Sequence, residues 1–336
     1  MKRDNYYPAG TVVSYWLDSL ILQGNPLGDS IRRRIDIYVP YAQSGLGLPL
    51  LVDLVGFLAG GPAHTNWKNF GENLPARLDR LIATGELPPV VVALPDCFTC
   101  LGGNQYINSA GTGRWADFLL EEVVPFVEGK LGCGGIGKRG VFGKSSGGYG
   151  AITHALLYPH FWAAAACHSG DMGFEQLMLP EFPGVLRALT AHNNDIKAWL
   201  TDFYSKPKQK GSDLHILMTL AMCATYDPDP AAFMGIRLPV DMLTCEIIPP
   251  RWHNFLRWDP LNIAAEHANG LKQLKSLFID CGTKDQYNLL YGARRLHRLL
   301  EQKGIAHVYE EFNDDHSSVD YRMDRSLPVL VQALLK

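Results

Sequence analysis

The chain has 336 residues, 47% of them hydrophobic and 19% charged, with a formal net charge of −3. That describes a globular chain with a sizeable core, and without a basic stripe it argues against a nucleic-acid partner. No apolar run reaches the roughly 18 residues of a membrane span, so no membrane association is expected.

Met1-Lys2-Arg3-Asp4-Asn5 is basic but lacks the apolar core of a secretory signal. Seven cysteines, odd in number and irregular in spacing, favour free thiols in a reducing, cytoplasmic setting. Cys97-Phe98-Thr99-Cys100 has redox-motif spacing, but no second pair completes a zinc site, and it reads as structural. No His/Cys/Asp cluster has metal-ligand spacing, so neither a metal nor another cofactor is expected.

Residues 12–22 alternate loosely and read as a strand, followed by a turn at 24–28. Residues 32–39 alternate charged and apolar side chains, which predicts a half-buried strand with Arg32, Arg34 and Asp36 outward and Ile35, Ile37 and Val39 inward. The continuous apolar runs 49–56 and 90–94 suit central strands covered on both faces. Helical spacing marks 73–84 and 115–131. A further apolar strand is predicted over 161–167. From 173 to 258 the strand–helix rhythm is lost, although helices are predicted over 195–204 and 213–225. Then come a strand (276–280), a helix (288–302), a strand (308–312) and a terminal helix (326–335). No internal repeat is visible. Short strands alternating with helices predict an α/β fold, mostly parallel with an antiparallel start.

The stretch Val141-Phe142-Gly143-Lys144-Ser145-Ser146-Gly147-Gly148-Tyr149-Gly150 carries the chemistry. A strand ends at 139–142, a glycine-dense turn surrounds Ser145, and a helix is predicted over 149–157. Strand, sharp turn and helix with G-x-S-x-G at the turn is a nucleophile elbow. Gly143 and Gly147 lack side chains that would strike the neighbouring backbone, and the Ser146 amide points to where an oxyanion would form. A P-loop is disfavoured, because its first glycine would fall on Lys138. Ser146 is a weaker nucleophile candidate, since it lacks the flanking glycines.

In a parallel sheet, functional groups gather at the carboxyl ends of strands. Asp285 follows the 276–280 strand and His316 follows the 308–312 strand. Ser145, Asp285 and His316 come in the order nucleophile, acid, base. Asp280 competes with Asp285 but sits at a strand end, where a structural role suits it better. His168 and Asp171 follow another strand and are candidates to line the pocket. Phe57, in the Gly-rich loop after 49–56, is the candidate second oxyanion donor, with Leu58 as the alternative.

The elbow, the helix beginning Trp115-Ala116-Asp117-Phe118-Leu119-Leu120-Glu121-Glu122, and the Asp285 and His316 loops resemble the putative-esterase family. That family includes enterochelin esterases, S-formylglutathione hydrolases, feruloyl esterases and mycolyltransferases. The resemblance covers 32–172 and 258 to the end. It implies an α/β-hydrolase fold, a mostly parallel central sheet with helices on both faces, and a metal-free Ser-His-Asp mechanism. Two positions depart from the family pattern: Val55-Gly56 stands where His-Gly is common, and Asp315 precedes His316 where glycine is commoner.

The expectation is a carboxylic-ester hydrolase in one domain over 1–336, with 173–258 inserted as a cap. Its partner would be a small-molecule ester with an apolar acyl or aryl group, and a homo-oligomer is left open. Leu58, Lys144, His168, Met218 and Trp252 are the candidate substrate-binding residues. Acyl transfer to an alcohol would use the same triad. A non-catalytic binding module would be expected to lack a triad member, and none is missing.

Overall fold

The computed structural model describes residues 7–336, so the stretch read for a secretory signal lies outside the described residues. Eight strands form one sheet: β1 Thr11–Asp18, β2 Arg32–Val39, β3 Leu50–Leu54, β4 Val91–Pro95, β5 Arg139–Lys144, β6 Ala164–His168, β7 Ser276–Gly282 and β8 Val308–Phe312. Their order is β1-β2-β4-β3-β5-β6-β7-β8. The β1–β2 and β2–β4 pairs are antiparallel and the rest are parallel.

Period-two alternation divides the sheet between two apolar clusters. Leu50, Val52, Leu54 and Val141 face one; Leu51 and Phe142 face the other. The second cluster takes Leu74 and Leu78 from the Leu74–Ala83 helix, and Met323 and Leu327 from the Met323–Leu334 helix. The first takes Trp115, Phe118 and Val127, Tyr149 and Ile152 of the Ser146–Leu157 helix, and Leu296 of the Leu289–Gln302 helix. Burial on both faces explains why these strands are apolar throughout.

Several boundaries differ from the sequence reading for identifiable reasons. β1 ends at Asp18 because the Leu20 and Ile21 amides turn away to donate to Glu122 (2.8 and 3.1 Å). Asp36 is not outward but fully buried. The Ser14 hydroxyl and the Arg34 guanidinium donate to it (2.6 and 2.7 Å), and Thr65 covers it. The predicted 115–131 helix is continuous but has a π-helical centre, Phe118–Val123. Pro125, which has no N–H to return to Glu121, follows directly. The elbow helix starts at Ser146 rather than at 149, because Ser145 makes the turn in one residue.

Between β6 and β7 the two predicted helices are present as Ile196–Ser205 and Gly211–Tyr226. Asp195 caps the first through the Lys197 and Ala198 amides. Four further helices escape the sequence reading: Phe174–Met178, Phe182–Thr190, Pro249–Leu256 and Pro260–His267. Pro183, Pro249 and Pro250 look like breakers, yet they occupy first turns, where a missing N–H costs nothing. Asp259 ties the two ends of this segment together. Its carboxylate accepts from the Gly173 and Phe174 amides (3.1 and 2.7 Å) and caps its own helix through Leu261 (3.0 Å).

Candidate active site

Ser145 stands at the tip of β5 with φ 59° and ψ −126°, a conformation that L residues rarely adopt. The surroundings hold it there. Its amide donates to the His168 carbonyl (3.0 Å), and its carbonyl accepts from the Tyr149 amide (2.8 Å). A Cβ at Gly147 would lie 1.7 Å from the Leu54 carbonyl oxygen, and one at Gly143 would lie 2.3 Å from it. The glycines therefore let β3 and the elbow helix close on the turn.

The loops after β7 and β8 bring Asp285 and His316 together, with Nδ1 of His316 2.8 Å from Oδ2 of Asp285. The other Asp285 oxygen accepts from the Tyr287 amide (3.0 Å), and the His316 amide donates to Gln286 (3.0 Å). Tyr287 packs edge-on to the imidazole, with ring centroids 4.8 Å apart. The carboxylate fixes a proton on Nδ1 and leaves Nε2 as an acceptor. Asp280, the competing acid, is buried elsewhere, between Nδ1 of His168 (2.7 Å) and Nε of Arg322 (2.8 Å). Asp315 turns its carboxylate to the Ser317 amide (2.6 Å) and is exposed.

Ser145 and His316 line one cavity of about 340 Å³. Of the sequence-predicted residues, Phe57, Leu58, Lys144 and Met218 line it with them. Leu58 is 66% exposed and forms the rim, whereas Phe57 is buried. Two expectations are corrected. His168 shares a sheet face with Lys144, but its ring is spent on Asp280 and on the Ser326 hydroxyl (2.8 Å), away from the cavity. Trp252 stacks on Phe255 (5.8 Å) and packs against Phe182, inside the segment between β6 and β7.

Asp171 does line the cavity, and it accepts from the Ser146 hydroxyl (3.0 Å). Burial pushes its carboxyl up to about 6, against the pull of His316 and the two serine hydroxyls. Ser146 in turn accepts from Gln105 (2.9 Å), whose carbonyl accepts from the Tyr226 hydroxyl (3.1 Å). A buried polar chain thus runs from the Gly211–Tyr226 helix to the elbow. The sequence reading also misses His64, His215, Tyr287 and Asp320 in the lining. No motif marks them, because turns, a loop and the Gly211–Tyr226 helix, distant in sequence, bring them in.

All seven cysteines are unpaired. Burial pushes the Cys97 thiol up strongly and the Cys100 thiol up to about 12, the state of inert structural thiols. Among the described residues no group of three or more His, Cys, Asp or Glu is placed to hold a metal ion, and no helix is long and apolar enough to cross a membrane.

The strand order, the elbow and the loops at the carboxyl ends of the strands define an α/β-hydrolase fold. The chain belongs to the esterase family described as "Putative esterase", which it matches over residues 30–326. A ferulic acid esterase superposes with a TM-score of 0.64 at 16% identity, over 97% of this chain and 99% of that one. The Staphylococcus aureus fluorophosphonate-binding serine hydrolase F does so with a TM-score of 0.60 at 15% identity, over 98% and 99%. An S-formylglutathione hydrolase from Agrobacterium tumefaciens gives 0.58 at 14% identity, over 97% and 96%. At such identities the likeness is one of fold. A curated relative, the 2-hydroxy-6-oxononadienedioate/2-hydroxy-6-oxononatrienedioate hydrolase of Burkholderia vietnamiensis, is 27% identical over 150 residues. That match covers 43% of this chain and 44% of the relative, less than half its length.

Proposed function

We propose that the chain hydrolyses small to medium carboxylic esters through an acyl-enzyme on Ser145. His316 takes the Ser145 proton through Nε2 as the hydroxyl attacks the acyl carbon. Asp285 holds the ring's tautomer and stabilises the imidazolium. The amides of Ser146 and Phe57 receive the oxyanion. His316 then protonates the leaving alcohol, and water, activated by the same ring, releases the acid. The observation that carries this reading is that a serine in a strained elbow and a carboxylate-held imidazole line one cavity.

The residues 173–258 act as a cap. Leu177, Leu214, Met218 and Met222 present carbon to the cavity and suit an apolar acyl or aryl group. Unpaired cysteines suit a reducing, cytoplasmic setting.

The test pairs a fluorophosphonate with a panel of p-nitrophenyl, aryl and thio-esters. Wild type should be labelled once, at Ser145, and hydrolyse members of the panel. Ser145→Ala should escape labelling and lose on the order of 10⁴–10⁶ in kcat. A labelled and active Ser145→Ala protein would overturn the assignment.

A further inference from the structure

We propose that the end of the cavity formed by His64 and Lys144 is a subsite for a carboxylate carried by the ester, on the arm pointing away from the Gly211–Tyr226 helix. This rests on the hydrolase reading above.

The cavity has two unlike ends. One, from the segment between β6 and β7, is mostly carbon, with Asp171 and His215 as its polar members; His215 is already engaged by the Tyr287 hydroxyl (3.2 Å) and Glu181 (3.9 Å). The other presents His64, Lys144, Ser317 and Asp320. Strand alternation places Lys144 on the face of Phe142, in the cluster of Met323 and Leu327, whereas Leu217, Leu220 and Met222 belong to the opposite cluster. An ester lying across Ser145 therefore points one arm at carbon and the other at nitrogen.

Both nitrogens lack a partner. Among the described residues the Lys144 ammonium makes no hydrogen bond or ion pair, and burial lowers its pKa. Nδ1 of His64 lies 2.6 Å from Asp53, a fully buried carboxylate whose other oxygen has no partner among the described residues. Burial pulls His64 down, but the charge and hydrogen bond of Asp53 outweigh it and the net shift is upward. Nε2 of His64 has no partner among the described residues and is left for the cavity. Asp320 is already engaged by Lys68.

Asp53 answers His64 and Asp320 answers Lys68, while the Lys144 ammonium has no carboxylate in contact, and Asp320, Asp285 and Asp315 act on it only from a distance. A partly desolvated cation without a partner is costly, and an incoming anion removes that cost. One unpaired cation, with three carboxylates acting on it from a distance, suits an anion of low charge. A phosphate dianion would overfill the site, since Asp320, Asp285 and Asp315 all act on Lys144. A carboxylate brings one charge and two acceptor oxygens for two donors.

The experiment compares kcat/KM within two ester pairs. 4-Carboxyphenyl butanoate against 4-carbamoylphenyl butanoate places the charge on the alcohol arm. Monophenyl glutarate against phenyl pentanoate places it on the acyl arm. Wild type should favour the carboxylate in one pair. In Lys144→Met that ratio should fall about 10–100-fold, the worth of one charge-assisted hydrogen bond, and Lys144→Arg should restore it. His64→Gln should lower the same ratio, and it carries the test where Lys144→Met fails to fold. Fluorophosphonate labelling identifies folded, competent protein. Labelling and neutral-ester hydrolysis without a carboxylate preference in either pair would sink the subsite and leave the hydrolase reading standing. A preference that survives both Lys144→Met and His64→Gln would also sink it. No labelling and no hydrolysis of any ester would remove the hydrolase reading, and this inference with it.

Discussion

Asp171 shows how much one buried carboxylate can decide. Its folded pKa lies near 6 against an ordinary 3.8, because burial penalises the charge more than His316 and the serine hydroxyls favour it. Between those values the folded state holds a proton that the unfolded state has lost. Stability therefore falls as pH rises from about 4 to 6 and stays lowered above that. Asp171→Asn keeps an acceptor for the Ser146 hydroxyl and removes the charge. Denaturant unfolding should show the variant close to wild type at pH 4. At pH 8 it should be more stable by on the order of 2–3 kcal/mol. Equal gains at both pH values would mean that Asp171 does not titrate in this window. Ser145 lies in the same category of held strain: its φ of 59° persists because Gly143 and Gly147 let the backbone of β3 pack against the turn.

At the scale of elements, the helix Gly211–Tyr226 serves two partners. Met218 and Met222 reach the cavity, while Leu217 and Leu220 join the buried cluster. Trp252, on Pro249–Leu256, packs against Phe182 and Phe255 inside the segment and does not line the cavity. The two residues should answer truncation differently. Met218→Ala should change kcat/KM unevenly across acyl chain lengths, by roughly 1–3 kcal/mol for a methylene-sized misfit. Trp252→Ala should lower unfolding stability by about 3–5 kcal/mol and affect all esters alike. A uniform response of the ester panel to Met218→Ala would remove this helix from substrate selection.

At the scale of the whole molecule, two aspartates on neighbouring positions of one chain do different work. Asp280, inside β7, joins His168 of β6 to Arg322, and Arg322 also binds Glu310 of β8. It fastens three strands to the approach of the last helix. Asp285, on the loop beyond, holds His316 and accepts from the local Tyr287 and Leu289 amides and the Cys281 thiol. Asp280→Ala leaves Nδ1 of the buried His168 and Nε of Arg322 without their acceptor, although Glu310 still pairs with Arg322, and should cost roughly 1–3 kcal/mol of stability for each group left unsatisfied. Activity per folded molecule should change little. Asp285→Asn should keep the fold and lose on the order of 10⁴ in kcat, because the imidazole loses its tautomer and its counter-charge. Denaturation curves combined with fluorophosphonate active-site titration separate the two effects, and reversed outcomes would exchange the two roles.

Much of this was legible along the chain, because the signals are local. Glycines around Ser145, apolar runs at 49–56 and 90–94, and helical spacing at 115–131 each follow from backbone sterics or period, which a few residues express. The placement of Asp285 and His316 after strands followed from the rule that loops at the carboxyl edge share one rim. What the chain alone left open depends on contacts between distant segments. Asp36 and His168 look available in sequence; only the strands and loops packed on them show that their polar atoms are spent. His64 carries no motif, and it reaches the cavity because Asp53, eleven residues earlier in the chain and buried in β3, orients its ring. The role of Trp252 was equally hidden, since an aromatic residue in a stretch without readable rhythm suits a pocket wall and a core alike. Local chemistry named the elbow and its partners; burial and cross-chain hydrogen bonding decided which polar groups remain free to meet a substrate.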